Sequence, residues 1–170
     1  MTWPDRLLTW VEPEDNPRNT IYGTIAAGLV IAAEDPATET YPRVIAATAV
    51  AVATYWLAHG YAHWVAERFQ RAATPDAARP AREFVDALIH EWPLSEGAAV
   101  PITALLIAWA VGAPLTAGVA AAVSTAAAAL VMFELAGGLR RRLRPLQLVA
   151  NAAVGLLLGA ALFAVKDLLH

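Results

Sequence analysis

Apolar residues in this chain come in blocks. Five stretches, at about residues 20–33, 43–66, 97–111, 115–136 and 146–165, are predominantly apolar, the fourth almost all Ala, Val and Leu. The runs between them hold nearly all of the charges and prolines. Within a block the apolar positions continue around the whole helical circumference instead of favouring one face. A helix of that kind belongs in a core or in lipid, and about 20 apolar residues suffice to cross a bilayer. The pattern predicts an all-α, polytopic membrane protein with five transmembrane helices in a single membrane domain over residues 1–170. The first block, about 14 residues, is short for a span. Asn19, Thr20 and Tyr22 extend it at the interface, and Gly23, Ala27 and Gly28 offer a small face for close helix contact.

Two segments do show an amphipathic period. Residues 3–11 place Trp3, Leu7, Trp10 and Val11 together, with Asp5 and Arg6 off that face. Residues 80–92 align Phe84, Val85, Leu88, Ile89 and Trp92, with Arg82, Glu83, Asp86 and His90 largely opposite. Both read as interfacial helices lying in the membrane plane, the second ended by Pro93. Gly112-Ala113-Pro114 is a tight turn after the third span, and Gly137-Gly138 closes the fourth. Asn151, Gly155 and Gly159 form a stripe at steps of four on the fifth. Gly155 and Gly159 are therefore helix-packing positions, serving a contact either within the chain or between copies of it. Self-association through such small-residue faces is expected.

Composition agrees with the block pattern. The chain is 58% hydrophobic and only 16% charged, against about 25% charged in a soluble domain, and its mean hydropathy is +0.49. It has no Cys, which excludes disulfides, thiolate metal ligands and Cys nucleophiles. The N-terminus is Trp-rich and acidic, so no cleavable signal peptide is expected. With five spans, ten of the twelve Lys and Arg residues fall on one side and two on the other. The positive-inside rule then puts the N-terminus in the cytoplasm and the C-terminus outside, in the plasma (inner) membrane. Were the first block not to cross, the same residues would divide eight to four. Arg140, Arg141, Arg142 and Arg144 set topology and meet anionic lipid headgroups. No soluble domain accompanies them, so no nucleic-acid role is expected; the bilayer is the expected partner.

Residues 55–71 carry the chemistry. Tyr55, His59, His63 and Glu67 recur at steps of four in an apolar helix, and intramembrane ionisable groups mark proton and ion pathways. His59, His63 and Glu67 are candidate ligands of a divalent metal ion, the one cofactor suggested. The five-span orientation carries these residues to the cytoplasmic side together with Glu96, Glu134 and Asn151, which extend the candidate polar path. His90 and Glu91 fall on the inner amphipathic helix. A purely structural reading stands beside this one: the histidines hydrogen-bond neighbouring helices, His63 pairs with Glu67, and Glu134 pairs with Arg140 or Arg141.

No catalytic template is present. The HGYAH stretch lacks the Glu of HExxH, and there is no GxSxG and no phosphate-binding glycine loop. An enzyme is the less favoured class. The segments NPRNTIYGTIAAGLVIAAE, YWLAHGYAH, HEWPL and KDLLH together resemble a group of small, mostly actinobacterial integral membrane proteins, across nearly the whole chain. That resemblance implies a membrane bundle and brings no activity with it. The span count, with an acidic cytoplasmic segment after span two, is also similar to the vacuolar iron transporters, at the level of fold alone. The functional expectation is a small proton- or cation-handling transporter or channel. The alternative is a non-transporting membrane scaffold or regulator that acts through its cytoplasmic surface.

Overall fold

The computed structural model describes residues 17–70 and 80–169. All regular structure among them is helical: α1 (Pro17–Ala33), α2 (Tyr41–Gln70), α3 (Pro80–His90), α4 (Pro93–Ala110), α5 (Leu115–Arg140) and α6 (Pro145–Leu169). Four of these, α2, α4, α5 and α6, are long and apolar enough to cross a membrane. At 17 residues, α1 is shorter than those four. The expected interfacial helix at 3–11 lies outside the described residues.

Each of the long helices turns large apolar side chains outward. Leu57 and Tyr61 on α2, Ile107 on α4, Met132 on α5 and Leu156 and Leu157 on α6 are all exposed, and Leu146 is 82% exposed. In water such a surface would drive association; lipid tails are its natural solvent. Hydroxyls within the helices are turned back on the backbone. Thr48, Thr54, Ser124 and Thr125 each donate to the carbonyl four residues earlier, at 2.7–2.8 Å, which satisfies them where no water is at hand.

The centre of the bundle is α1, which packs on α2, α4, α5 and α6. Its contact with α4 is made backbone to backbone. A Cβ placed on Gly23 would fall 1.8 Å from Leu94 O, and one on Gly97 would fall 1.9 Å from Thr20 O. Only glycine permits that approach. Pro101 lies inside α4 and has no N–H for Gly97 O. The Thr24 hydroxyl fills the gap, lying 3.0 Å from Gly97 O and equally 3.0 Å from Thr20 O. Farther along, Ile31 and Ala32 of α1 share one apolar cluster with Leu105, Ala108, Val119 and Val123. α1 therefore runs beside α4 in the same direction for most of its length.

Two helix ends differ from the sequence expectation. α4 begins at Pro93 rather than near Gly97, because proline is favoured in the first helical turn, where an N–H has no partner anyway. Only Glu91 and Trp92 then separate α3 from α4. The second difference concerns Gly137-Gly138, which lies within α5. A Cβ on Gly138 would meet Leu148 Cδ2 at 2.6 Å, so that glycine admits α6 instead of ending α5. The turn falls at Arg141–Arg144, with Arg142 in the left-handed region (φ 51°). The turn at Gly112 (φ 74°) is as expected. Gly155 and Gly159 pack inside the chain, on Val131 and Ala127 of α5.

Candidate functional site

Amphipathic α3 lies against the end of α2 because three features of α2 fit it. Trp56 Nε1 donates to Leu88 O at 3.0 Å. Gly60 leaves room for Leu88, whose Cδ2 would stand 2.5 Å from a Cβ there. Trp64 meets Phe84 edge-on at 5.8 Å, and the Arg68 guanidinium covers the same indole at 4.8 Å. Val85, Ile89 and Trp92 remain exposed on this segment.

This docking brings His63 of α2 to the end of α3. Its ring lies 4.7 Å from that of His90. His63 Nδ1 is 3.3 Å from Glu91 Oε1, and His63 Nε2 is 3.4 Å from Glu67 Oε1. His63, His90 and Glu91 each offer a ligand atom, and the three atoms lie within 4.8 Å of one another. Glu91 occupies the two-residue corner between α3 and α4 and is only 4% exposed. A buried carboxylate needs partners. It has His63 on one oxygen and, on the other, Nδ2 of the fully buried Asn19 in the first turn of α1, which donates to Oε2. In front of the cluster is a cleft of about 210 Å³ lined by His63, Glu67, Glu83, Asp86, Ala87 and His90. Three carboxylates around its rim favour cations over anions. From the cluster inward, α1 carries Thr20 and Thr24, both buried. Among the described residues the rest of the buried core is apolar except for Thr48 of α2, whose hydroxyl is turned to Val44 O.

The sequence candidates separate on this geometry. His63 and Glu67 stand at the cluster. His59, one turn earlier, faces away from it: its Nδ1 is 3.2 Å from Tyr55 O, and its ring packs on Tyr55 at 4.3 Å and Tyr22 at 6.1 Å. Glu96 is exposed in the first turn of α4. Glu134 and Asn151 sit on α5 and α6, with Asn151 beside Gly138. None of these four joins the group of ligand atoms. Arg140, Arg141, Arg142 and Arg144 are exposed around the α5–α6 turn. Sequence reasoning noted His90 and Glu91 without joining them to His63, and it missed the role of Asn19. The available signal was the HEWP run itself, which sets an ionisable pair against a helix-starting proline.

The chain is thus an α-helical protein of membrane type, with a histidine–carboxylate cluster at one end of its bundle. No protein family, curated protein or solved structure matches it.

Proposed function

We infer that the protein handles a cation in the membrane, taking it at the His63–His90–Glu91 cluster and moving it along the bundle past Asn19, Thr20 and Thr24. The observation that carries this reading is Glu91, a buried carboxylate held against the imidazole of His63, which itself lines an acidic cleft. Ionisable groups in a membrane bundle are costly and are kept for pathways. In this reading α1 is the fifth span. It runs beside α4, itself only 18 residues long, and at 1.5 Å per residue its 17 residues reach about 25 Å. The N-terminus and the cleft face the cytoplasm, the C-terminus lies outside, and the membrane is the plasma (inner) membrane.

A second reading has its own support. Ile31, Leu105, Val119, Val123 and Leu130 belong to one buried apolar cluster, which suits a protein that binds at one surface and regulates a partner there. Flux decides between the two. Purified protein in liposomes is assayed with protons and a panel of divalent metals, wild type against Glu91→Gln and His63→Ala. Transport predicts flux in the wild type that falls at least tenfold in both variants while they remain folded. Absence of flux for every ion in folded wild type removes the transport reading and leaves the surface-binding one.

A further inference from the structure

We propose that this cluster is a transition-metal site in which His63 Nδ1, His90 and Glu91 Oε1 are the ligands, while Glu67 and Asn19 hold two of those ligands from behind. The proposal rests on the cation reading above and names the class of cation: a borderline dication such as Zn²⁺, Co²⁺ or Fe²⁺, and not Mg²⁺ or Ca²⁺.

Three observations lead there. The first is spacing. With metal–ligand bonds of about 2.0–2.2 Å, ligand atoms around a tetrahedral ion stand roughly 3.3–3.5 Å apart. His63 Nδ1 and Glu91 Oε1 already do so, at 3.3 Å. His90, exposed at the last residue of α3, closes the triangle from within 4.8 Å by a side-chain movement alone.

The second is the support behind the ligands. Metal-bound imidazoles usually give their other N–H to a carboxylate, and bound carboxylates are themselves hydrogen-bonded. Here Glu67 Oε1 lies 3.4 Å from the far nitrogen of His63, and Asn19 Nδ2 donates to the far oxygen of Glu91. With the proton of His63 on Nε2, facing Glu67, the lone pair of Nδ1 faces the Glu91 carboxylate at a spacing that a metal ion between them would also have, and a second imidazole lies beside it.

The third is Asn19. It is fully buried, and its Oδ1 accepts no hydrogen bond among the described residues. A buried carbonyl oxygen without a partner is costly, and this one belongs to the side chain that supports the Glu91 carboxylate. Two imidazoles and one carboxylate suit zinc and iron, whereas magnesium and calcium sites are built from oxygen. The cleft in front leaves coordination positions open, as an exchangeable site needs.

The test uses the full chain in lipid nanodiscs, titrated with Co²⁺ and followed by its visible absorption, which intensifies on tetrahedral coordination. One equivalent should bind, Zn²⁺ should displace it, and excess Mg²⁺ or Ca²⁺ should not. His90→Ala, at an exposed position where folding is not at issue, should weaken binding more than tenfold. Glu67→Gln should weaken it about 10- to 100-fold, as loss of a supporting carboxylate does. No Co²⁺ signal in folded wild type overturns the proposal, and so does wild-type affinity in both variants. Metal binding without flux upholds the site and removes transport. Proton flux with no metal bound removes the site and leaves transport.

Discussion

Single atoms decide how close α1 and α4 can lie. Gly23 and Gly97 each face a backbone carbonyl across the contact, at distances no Cβ tolerates, and backbone cannot rotate aside as a side chain can. Gly97→Ala must therefore push the helices apart. Overpacking of this kind costs about 1–3 kcal/mol or more, and the loss should appear as a lowered midpoint of denaturant unfolding in detergent. Thr24→Val tests the other half of the contact. It keeps the shape and removes the one hydroxyl that reaches Gly97 O, the carbonyl left over by Pro101. An unsatisfied buried carbonyl costs about 1–3 kcal/mol, so Thr24→Val should destabilise measurably and Thr24→Ser much less. A larger loss for Ser than for Val would show that the methyl packing, and not the hydrogen bond, is what matters.

The elements divide into those that periodicity reveals and those that a distant contact makes. The long helices were legible because lipid imposes one simple rule on them, apolar on every side. The pairing of His63 with Glu67 was legible too, since both lie on one helix four residues apart. Glu91 was not, because nothing local distinguishes it from the solvated face of α3. Its burial comes from the two-residue corner at Pro93 and from Asn19, 72 residues earlier in the chain. The same is true of Gly138, which looks like a helix end and is in fact a seat for Leu148. The cluster thus depends on α3 staying docked, and Gly60 is the point of least tolerance. Gly60→Leu should displace Leu88 and release α3 while leaving the rest of the bundle in place. Hydrogen exchange would show the amides of α3 losing protection and those of α5 and α6 keeping theirs. Unchanged protection in α3 would mean that Trp56 and Trp64 hold it alone.

At the scale of the whole molecule, the open matter is whether α1 crosses the membrane. At 17 residues it is shorter than the four longer helices, yet its neighbours support the crossing proposed above. Its first turn touches Glu91 at the α3–α4 corner, and its last turn shares a cluster with Tyr41. Tyr41 in turn is bonded to the carbonyls of Ala113 and Pro114 at the far end of α4, at 3.1 and 3.2 Å. α1 is thus tied near both ends of α4, which supports the five-span reading proposed above. In that reading it crosses with fewer apolar residues because its polar side chains face protein: Asn19, Thr20 and Thr24 are buried, while Tyr22 and Leu29 face outward. The absence of Cys makes the test clean. Single cysteines at the exposed positions Pro17→Cys, Thr38→Cys, Val111→Cys and Pro145→Cys are labelled in intact cells with a membrane-impermeant maleimide. Five spans with a cytoplasmic N-terminus require Thr38→Cys and Val111→Cys to react at once, and Pro17→Cys and Pro145→Cys only after permeabilisation. The reverse pattern keeps five spans and inverts the molecule, which would turn the acidic cleft and its histidines to the outside. Reaction of Pro17→Cys and Thr38→Cys from the same side would make α1 a helix that enters the bundle without crossing, and the basic residues would then be split eight to four.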